Sequence, residues 1–286
     1  MKPKVLITGN AGFIGSHLAD YLIEKGYKVV GIDNFSTGDK LNINDKVKQW
    51  DADVSDFDSM RRIVRYENPE WIFHEAANAR TQLSVQDPMM DMENNIRGTL
   101  NMLLTAKENN VKRFIYASSC IIYAPNTPYY VSKQAGEEYT KVFAKCYGMF
   151  TVALRYSNVY GSLRQSEKGS HINALASLRK TKRETGRIWI TGDGTQTRQW
   201  SHVKDVVRAN LLAAQSKETG MFDICTGVNT SMNEIAKYFD CPIDYVPLPP
   251  GDAKHLSVGQ NPKPAEEKLG YKCEIPFGLE SLKVYL

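Results

Sequence analysis

The first thirty-three residues constrain the fold more than any other part of this chain. The segment KVLIT, residues 4–8, is a short apolar run rich in β-branched residues, which is typical of a buried strand. GNAGFIG comes next and places glycines at positions 9, 12 and 15, at the start of a helical pattern. A second apolar strand pattern, YKVVGID, then ends at Asp33. Strand, glycines, helix, strand and acid therefore occur in one order.

This order predicts a dinucleotide-binding site. Glycines let the backbone turn tightly and approach a pyrophosphate, while the adjoining helix presents free N–H groups to it. Asp33 lies at the end of the second strand, where a carboxylate can hold a ribose diol and would repel the 2'-phosphate of NADP. The sequence therefore favours NAD. A purely structural glycine turn is the alternative interpretation.

Strand and helix patterns continue to alternate along the chain. Further strand patterns occur at 47–53, 71–77, 113–119 and 151–157, separated by helical patterns at about 56–67, 88–109 and 129–147. This alternation predicts an α/β fold, a Rossmann-type doubly wound parallel sheet whose ligands lie at the carboxyl ends of the strands.

The alternation weakens after about residue 165, where turn-rich segments such as TGDGTQT and YVPLPPGD appear. We expect residues 1–165 to form the NAD-binding Rossmann domain, with residues 199–225 returning to it. Residues 166–286 are expected to form mainly a smaller C-terminal substrate-binding cap.

Composition narrows the class of protein. No apolar run approaches the roughly 18 residues that span a membrane, and MKPKVLITG enters a strand pattern with no room for a signal peptide. The densest basic stretch, residues 179–187, has no interleaved aromatic residues. The five cysteines form no C-x-x-C pair, which favours reduced thiols over disulfides or zinc. We expect a cytoplasmic protein that does not bind nucleic acid, a membrane or a metal ion.

Catalytic chemistry is indicated by ASSCIIYAPNTPYYVSK, residues 117–133. Tyr129 and Lys133 lie four residues apart, on one face of a predicted helix. A phenol, with a pKa near 10, is a poor base at neutral pH, and a nearby ammonium or a positive nicotinamide ring would favour the phenolate. Ser119, at a strand end, can hydrogen-bond the reacting oxygen. Tyr130 is the alternative base.

Eight sequence motifs extend these patterns into a family resemblance: TGNAGFIGSHL, DNFSTG, DADVSD, HEAA, SVQDPMMDMENNIRGTLNML, PYYVSKQAGE, LRYSNVYG and GDGTQTRQWSHVKDVVRANL. With them the chain resembles the extended short-chain dehydrogenase/reductases, and among these the NAD-dependent nucleotide-sugar epimerase/dehydratase family, with UDP-sugar 4-epimerase-like features. The resemblance implies a homodimer joined by a four-helix bundle built from the helices near 88–109 and 129–147.

The same resemblance implies residue roles. The catalytic residues would be Ser119, Tyr129 and Lys133. The cofactor would be held by Gly9, Gly12, Phe13, Ile14, Gly15, Asp33, Asn34, Ser36, Gly38, Asp53, Val54, Ala76, Ala77, Asn95, Tyr129, Lys133 and Tyr156. Ser119, Asn158 and Arg198 would contact the sugar nucleotide. For Arg198 the guanidinium fork suits a diphosphate, and a surface ion pair is the alternative.

The two residues directly after Ser119 indicate the reaction. Dehydratases of this family carry an acidic residue there, whereas this chain has Cys120 and Ile121, which disfavours dehydration. The expected reaction is redox-neutral C4 epimerisation of a UDP-hexose, either UDP-glucose/UDP-galactose or an N-acetyl or uronate analogue, through a transient 4-keto sugar. A dehydratase, a reductase similar to GDP-fucose synthase with Cys120 as acid or base, and a non-catalytic NAD-binding sensor are the alternatives.

Two departures from the family pattern affect the sugar site. CIIYAPNTP alone joins Ser119 to Tyr129, whereas relatives have a longer loop over the sugar, so we expect a more open pocket. Pro249 stands where many relatives have an arginine that clamps the diphosphate. Lys254 or His255 could replace it only without a bidentate grip. Leu256 falls near the position that limits the substituent at the sugar C2.

Overall fold

The computed structural model describes residues 2–124, 126–165, 173–249 and 258–286. Its strands are β1 (Lys4–Thr8), β2 (Lys28–Asp33), β3 (Lys48–Asp51), β4 (Trp71–His74), β5 (Arg113–Ser119), β6 (Thr151–Tyr156), β7 (Asn158–Tyr160), β8 (Ile188–Thr191), β9 (Thr197–Arg198), β10 (Trp200–His202), β11 (Gly220–Ile224), β12 (Thr230–Ser231) and β13 (Ile243–Val246).

The helices are α1 (Phe13–Glu24), α2 (Phe57–Glu67), α3 (Thr81–Gln86), α4 (Pro88–Asp91), α5 (Gly98–Glu108), α6 (Pro128–Tyr147), α7 (Ala174–Thr185), α8 (Val203–Gln215), α9 (Met232–Ala236), α10 (Lys263–Leu269) and α11 (Leu279–Leu282). Single turns of 3-10 helix occur at Lys40–Asn42 and Cys120–Tyr123, and a π-helical segment spans Met92–Arg97. Among the described residues, no helix is both long and apolar enough to cross a membrane.

Seven strands form one parallel sheet in the order β11-β6-β5-β4-β1-β2-β3. The strand order reverses beside β1, which is the doubly wound arrangement that places ligands at the carboxyl ends of the central strands. The predicted fold class is confirmed.

The sheet has apolar residues on both faces, which explains why helices pack on both of them. Successive side chains of a strand point to opposite faces, and in β1 Val5 and Ile7 join one buried cluster while Leu6 joins another. The first cluster packs against α1 and α8. The second packs against α2, α5 and α6. A doubly wound sheet is the arrangement that buries both sets.

The chain returns to this sheet after leaving it. The edge strand β11 pairs with β6, and α8 packs against α1. Ala265 and Leu269 of α10 lie in the same apolar cluster as α8. A third cluster, which includes Tyr160, Trp200 and Phe239, forms a separate core with α7, α9 and the short strands around them.

One helical prediction needs refinement, and one helix was missed. The helix predicted at about 88–109 is continuous from Pro88 to Glu108, but its winding changes to π over Met92–Arg97, between α4 and α5. The wider turn buries Asn95, which a regular helix would place differently. The helix α3, residues 81–86, was absent from the sequence prediction, since its six residues are too short for a clear period.

Candidate active site

The turn between β1 and α1 forms a cradle with two positions, 9 and 15, where only glycine fits. Gly9 has a φ of +71°, and a Cβ there would lie 2.8 Å from the Cα of Ala76. A Cβ on Gly15 would overlap the carbonyl oxygen of Gly9. Helix α1 begins at Phe13 without a side-chain cap, so its N-terminal N–H groups face outward from the sheet edge. Close backbone approach and free N–H groups suit a pyrophosphate.

The carboxylate predicted for the ribose stands at the end of β2. Asp33 is buried, and its Oδ2 accepts from the backbone N–H of Ala11 at 2.9 Å while its Oδ1 accepts from Phe35 at 2.8 Å. Burial raises the pKa of Asp33, and these two hydrogen bonds oppose the rise. The side chain is therefore fixed beside the glycine cradle. Gly38 lies against it, since a Cβ there would be 2.9 Å from Oδ1 of Asp33.

The next acid along the edge is Asp53, after β3. Its Oδ1 accepts from the backbone N–H of Ser55 at 2.8 Å, and its Oδ2 accepts from the side chain of Asn34 at 2.7 Å. Burial raises the pKa of Asp53, but the hydrogen bonds from Ser55 and Asn34 outweigh it and leave the pKa below its ordinary value. An ionised carboxylate is thus held at this end of the cradle.

A cavity of about 1010 Å³ lies over the cradle, at the carboxyl edge of the sheet. Twelve of the residues predicted for the cofactor line it: Gly9, Gly12, Phe13, Ile14, Gly15, Asp33, Asn34, Ser36, Asp53, Val54, Ala76 and Ala77. The other predicted residues do not line it: Gly38, Asn95, Ser119, Tyr129, Lys133, Tyr156, Asn158 and Arg198. Its size and glycine floor fit a dinucleotide.

Asn95 lies behind the cavity wall and connects three elements. Its Oδ1 accepts from the backbone N–H of Asn78 at 2.8 Å. Its Nδ2 lies within hydrogen-bonding distance of the carbonyl oxygen of Asn78, Oδ1 of Asp91 and Oγ of Ser132. Asn95 therefore fixes the segment after β4 against α6.

Ser119, Tyr129 and Lys133 meet where β5 ends and α6 begins. Tyr129 and Lys133 are buried, and the hydroxyls of Ser119 and Tyr129 are hydrogen-bonded. The ammonium of Lys133 donates to the carbonyl oxygen of Ala117 at 2.8 Å and lies 5.9 Å from the centre of the Tyr129 ring. Tyr130, the alternative base, is less buried. The short connection after Ser119 thus still brings these three residues together.

Burial shifts the pKa values of both α6 side chains. It lowers the pKa of Lys133 to about 8, while nearby carboxylates, led by Glu75, oppose the change. It raises the pKa of Tyr129, and the hydrogen bond from Ser119 opposes that rise. The sequence predicted that the Lys133 ammonium would lower the pKa of Tyr129. In the structure the pKa of Tyr129 is raised instead, because desolvation of the phenol dominates.

A buried ion-pair network, which sequence reasoning missed, supports α6. Nε and Nη2 of Arg155 each donate to a different carboxylate oxygen of Glu137 at 2.8 Å. The hydroxyl of Ser118 donates to the same carboxylate at 2.6 Å. Nη1 of Arg155 donates to the hydroxyl of Tyr123, which donates to Asp223. The network joins α6 to β5, β6, β11 and the turn after Ser119.

Cys120 lies beside this network as a packed side chain. It is buried, its Sγ donates to the carbonyl oxygen of Arg155 at 3.3 Å, and burial raises the pKa of its thiol. A buried thiol of this kind is a poor acid or base near neutral pH.

The residues expected at the sugar nucleotide lie beyond the cavity lining. The amide of Asn158 donates to the carbonyl oxygen of Gln199 at 3.3 Å. Arg198, on β9, is buried, and its Nη1 donates to the carbonyl oxygen of Thr197 at 2.9 Å. The roles considered for Lys254, His255 and Leu256 fall outside the described residues.

Several cavity residues were not anticipated from the sequence. Glu75, Asn78 and Arg80 come after β4, and Arg164 and Gln165 come from the segment after β7. The sequence did contain a signal for the residues after β4. They belong to HEAANAR, which follows a central strand, and ligands of a parallel sheet lie at the carboxyl ends of its strands. The segment after β7 had no comparable local signal.

A doubly wound sheet with a glycine cradle, a ribose-side aspartate and a Tyr–Lys pair on one helix defines a dinucleotide-dependent enzyme of the short-chain dehydrogenase/reductase class. The model of the NAD dependent epimerase/dehydratase family matches residues 5–225, and the chain belongs to this family. Family membership confirms the predicted resemblance and the predicted cofactor, NAD.

Individual relatives agree in sequence and structure. The crystal structure of UDP-glucose 4-epimerase from Thermotoga maritima with UDP-glucose matches with a TM-score of 0.93 and 35% identity, covering 99% of this chain and 97% of that one. UDP-glucose 4-epimerase of Mycolicibacterium smegmatis is 32% identical over 253 residues, 81% of this chain and 80% of the relative. The crystal structure of UDP-glucuronic acid 4-epimerase from Bacillus cereus, in complex with UDP-glucuronic acid and NAD, matches with a TM-score of 0.88 and 26% identity, covering 99% and 97%.

Proposed function

We propose that this protein is an NAD-dependent UDP-hexose 4-epimerase that acts through a transient 4-keto sugar. The observation that carries the proposal is the meeting of Ser119, Tyr129 and Lys133 beside a cavity with a dinucleotide cradle. The similarity to UDP-sugar 4-epimerases, in sequence and in structure, supports the same substrate class.

The catalytic roles are inferred from the geometry. The phenolate oxygen of Tyr129 takes the proton of the sugar 4-hydroxyl, and returns it to the keto oxygen after the sugar has presented its other face. The hydroxyl of Ser119 hydrogen-bonds the same sugar oxygen, and the ammonium of Lys133 stabilises the phenolate. NAD, when bound, supplies a reversible hydride acceptor for C4 and a positive charge near the phenol. The reaction is redox-neutral overall.

Binding roles are proposed for the remaining site residues. The glycine cradle holds the cofactor pyrophosphate, Asp33 accepts from the adenosine ribose, and Asp53 lies on the adenine side. Asn158 and Arg198 hold the substrate diphosphate, with the unit formed mainly after residue 166 serving as the substrate-binding cap.

The alternative reactions have less support. Ile121 is buried and apolar, so it cannot protonate a leaving hydroxyl as a dehydratase acid would. Cys120 is a buried thiol with a raised pKa, which disfavours the reductase alternative. A non-catalytic NAD sensor would have no need for the buried Tyr129–Lys133 pair.

An NMR assay of the purified protein tests the proposal. UDP-, GDP-, CDP- and dTDP-sugars are supplied without added NADH, and we expect interconversion of a UDP-linked pair of 4-epimers. Tyr129→Phe should lower the turnover by at least about 1000-fold because the proton acceptor is lost, whereas Tyr130→Phe should retain it. Strict dependence on added NAD(P)H, or release of a 4-keto-6-deoxy sugar, would contradict the assignment.

A cytoplasmic homodimer is also proposed. Support for the dimer comes from exposed apolar side chains on the helices that the family resemblance places at a subunit interface, namely Met89, Val131 and Val142. They lie on α4 and α6.

A further inference from the structure

Asn78, in the wall of the cavity, has a side chain without a partner. It is 8% exposed, and neither its amide nitrogen nor its amide oxygen has a hydrogen-bond partner within the described ranges. The great majority of buried polar groups in proteins are hydrogen-bonded. Both amide atoms are covered by protein, so a ligand in the cavity can supply the missing donor and acceptor only if this part of the wall shifts when it binds.

Two residues further on, Arg80 adds a positive charge to the same wall. Burial lowers the pKa of its guanidinium. No hydrogen bond or ion pair joins this guanidinium to any part of the chain that the structure describes. The other two arginines that line the cavity are engaged. Arg164 pairs with Asp20 at 2.7 Å, and Arg179 has interactions of its own within the protein. Arg80 is thus available to an anion that enters the cavity.

This wall lies next to the proposed reacting end of the site. The side chain of Asn95 holds the backbone of Asn78 and also reaches Ser132 on α6. Ser84, on α3, accepts from the backbone N–H of Tyr129 at 3.1 Å. Both contacts join the segment after β4 to the start of α6, the helix that carries Tyr129 and Lys133. The glycine cradle follows a different strand, β1.

We propose that Arg80 binds an oxyanion of the nucleotide sugar, and that the wall shifts on binding so that the amide of Asn78 hydrogen-bonds a neighbouring oxygen. The inference rests on the proposed function. The cofactor pyrophosphate already has the cradle and the N-terminus of α1, so we assign the anion at Arg80 to the substrate. A guanidinium fork grips either a diphosphate or a sugar carboxylate bidentately. Such a grip would compensate for Pro249, which stands where many relatives have an arginine.

Calorimetric titration of the NAD-loaded protein tests this assignment. The ligands are UDP, UDP-glucose and UDP-glucuronate, and the variants are Arg80→Ala, Arg80→Gln and Arg80→Lys. Arg65→Ala, at an exposed position on α2, is the matched control. We expect the Ala and Gln variants to weaken binding of the oxyanion ligand roughly 10- to 100-fold, as for a charged hydrogen bond, and Lys to restore part of it.

The three ligands identify the oxyanion. Equal weakening of all three assigns Arg80 to the diphosphate, and weakening of UDP-glucuronate alone assigns it to the sugar carboxylate. Unchanged affinities in every variant would overturn the inference. So would a loss confined to NAD, measured as dinucleotide released per chain.

The same preparation separates this inference from the proposed function. If the wild type epimerises a UDP-sugar but Arg80→Ala and Arg80→Gln bind all three ligands normally, only the inference fails. If the wild type neither binds nor converts any UDP-sugar, the proposed function fails. Thermal unfolding of each variant checks that it is folded. If Arg80→Ala and Arg80→Gln do not fold, the test rests on the ligand affinities of Arg80→Lys.

Discussion

Individual charges in this site are set by burial as much as by neighbours. Lys133 has a pKa lowered to about 8 by burial, so its ammonium begins to deprotonate just above neutral pH. Glu75, at the end of β4, opposes this shift. Burial also raises the pKa of Glu75 to about 7, and its Oε1 accepts from the hydroxyl of Tyr156 at 2.9 Å. The buried lysine and the half-buried glutamate therefore both titrate near neutral pH.

We expect turnover to fall as the pH rises through about 8, because the Lys133 ammonium that stabilises the phenolate is lost. In Glu75→Gln the decline should begin at lower pH, since the opposing carboxylate is gone. The pH dependence of turnover, measured by the NMR assay on both proteins, checks this. Titration of Lys133 does not itself favour unfolding: the unfolded lysine keeps its proton to higher pH, so the contribution of Lys133 to the free energy of unfolding rises from about pH 8 upward. Identical profiles for the two proteins would contradict the role given to Glu75.

Sequence spacing was sufficient to predict the proximity of Ser119, Tyr129 and Lys133, because a four-residue interval on a helix fixes the relative positions of its tyrosine and lysine, and the serine ends the strand before it. The direction of the Tyr129 pKa could not be predicted, since it depends on desolvation by residues distant in the chain. Asn78 and Arg80 were missed for a similar reason. Their importance lies in partners they lack, and a sequence does not show which polar groups stay unpaired.

Among the secondary-structure elements, α6 depends on a buried ion pair for its place against the sheet. The Glu137 side chain is 4% exposed and pairs with Arg155, whose other contacts reach the turn after β5 and the edge strand β11. Removing one member of a buried pair leaves the other charge uncompensated. The ion pair therefore stabilises the helix that carries Tyr129 and Lys133.

Glu137→Gln should lower the free energy of unfolding by about 3 kcal/mol, because Arg155 would lose its buried counter-charge. The matched control is Glu70→Gln, which removes the exposed partner of Lys112 and should cost less than about 1 kcal/mol. Urea unfolding followed by circular dichroism measures both. Equal effects of the two substitutions would show that burial of the α6 pair has no special consequence.

Element boundaries were predictable where the apolar pattern had one period. β1 and β5 begin and end where the sequence indicated, because turn residues or polar residues bound each apolar run. The segment 88–109 is helical as predicted, but periodicity does not detect the change from α to π winding within it. That change buries Asn95, which hydrogen-bonds the backbone of Asn78 in the cavity wall.

For the molecule as a whole, the sequence predicted the Rossmann part better than the rest. Alternating strands and helices identify a doubly wound sheet from local patterns alone. The smaller core instead pairs β8 with β13 and β9 with β12, short strands separated by more than thirty residues. Such pairings leave little local signal. Yet both parts line the cavity, since Asn173 and Arg179, at the start of α7 and within it, lie in its lining together with the glycine cradle.

The outer surface of α4 and α6 carries the last prediction, on assembly. Met89 and Val142 are exposed there, and apolar side chains on neighbouring helices are the usual core of an interface between subunits. Met89→Glu and Val142→Glu should each convert a dimer into monomers, because a charge would be buried without a partner. Val228→Glu, at a valine outside these helices that is as exposed as Met89, should leave the assembly unchanged. Sedimentation velocity at micromolar protein measures all four species. A wild type that sediments as a monomer would refute the proposed dimer, and dimers that persist in both α4 and α6 variants would place the interface elsewhere.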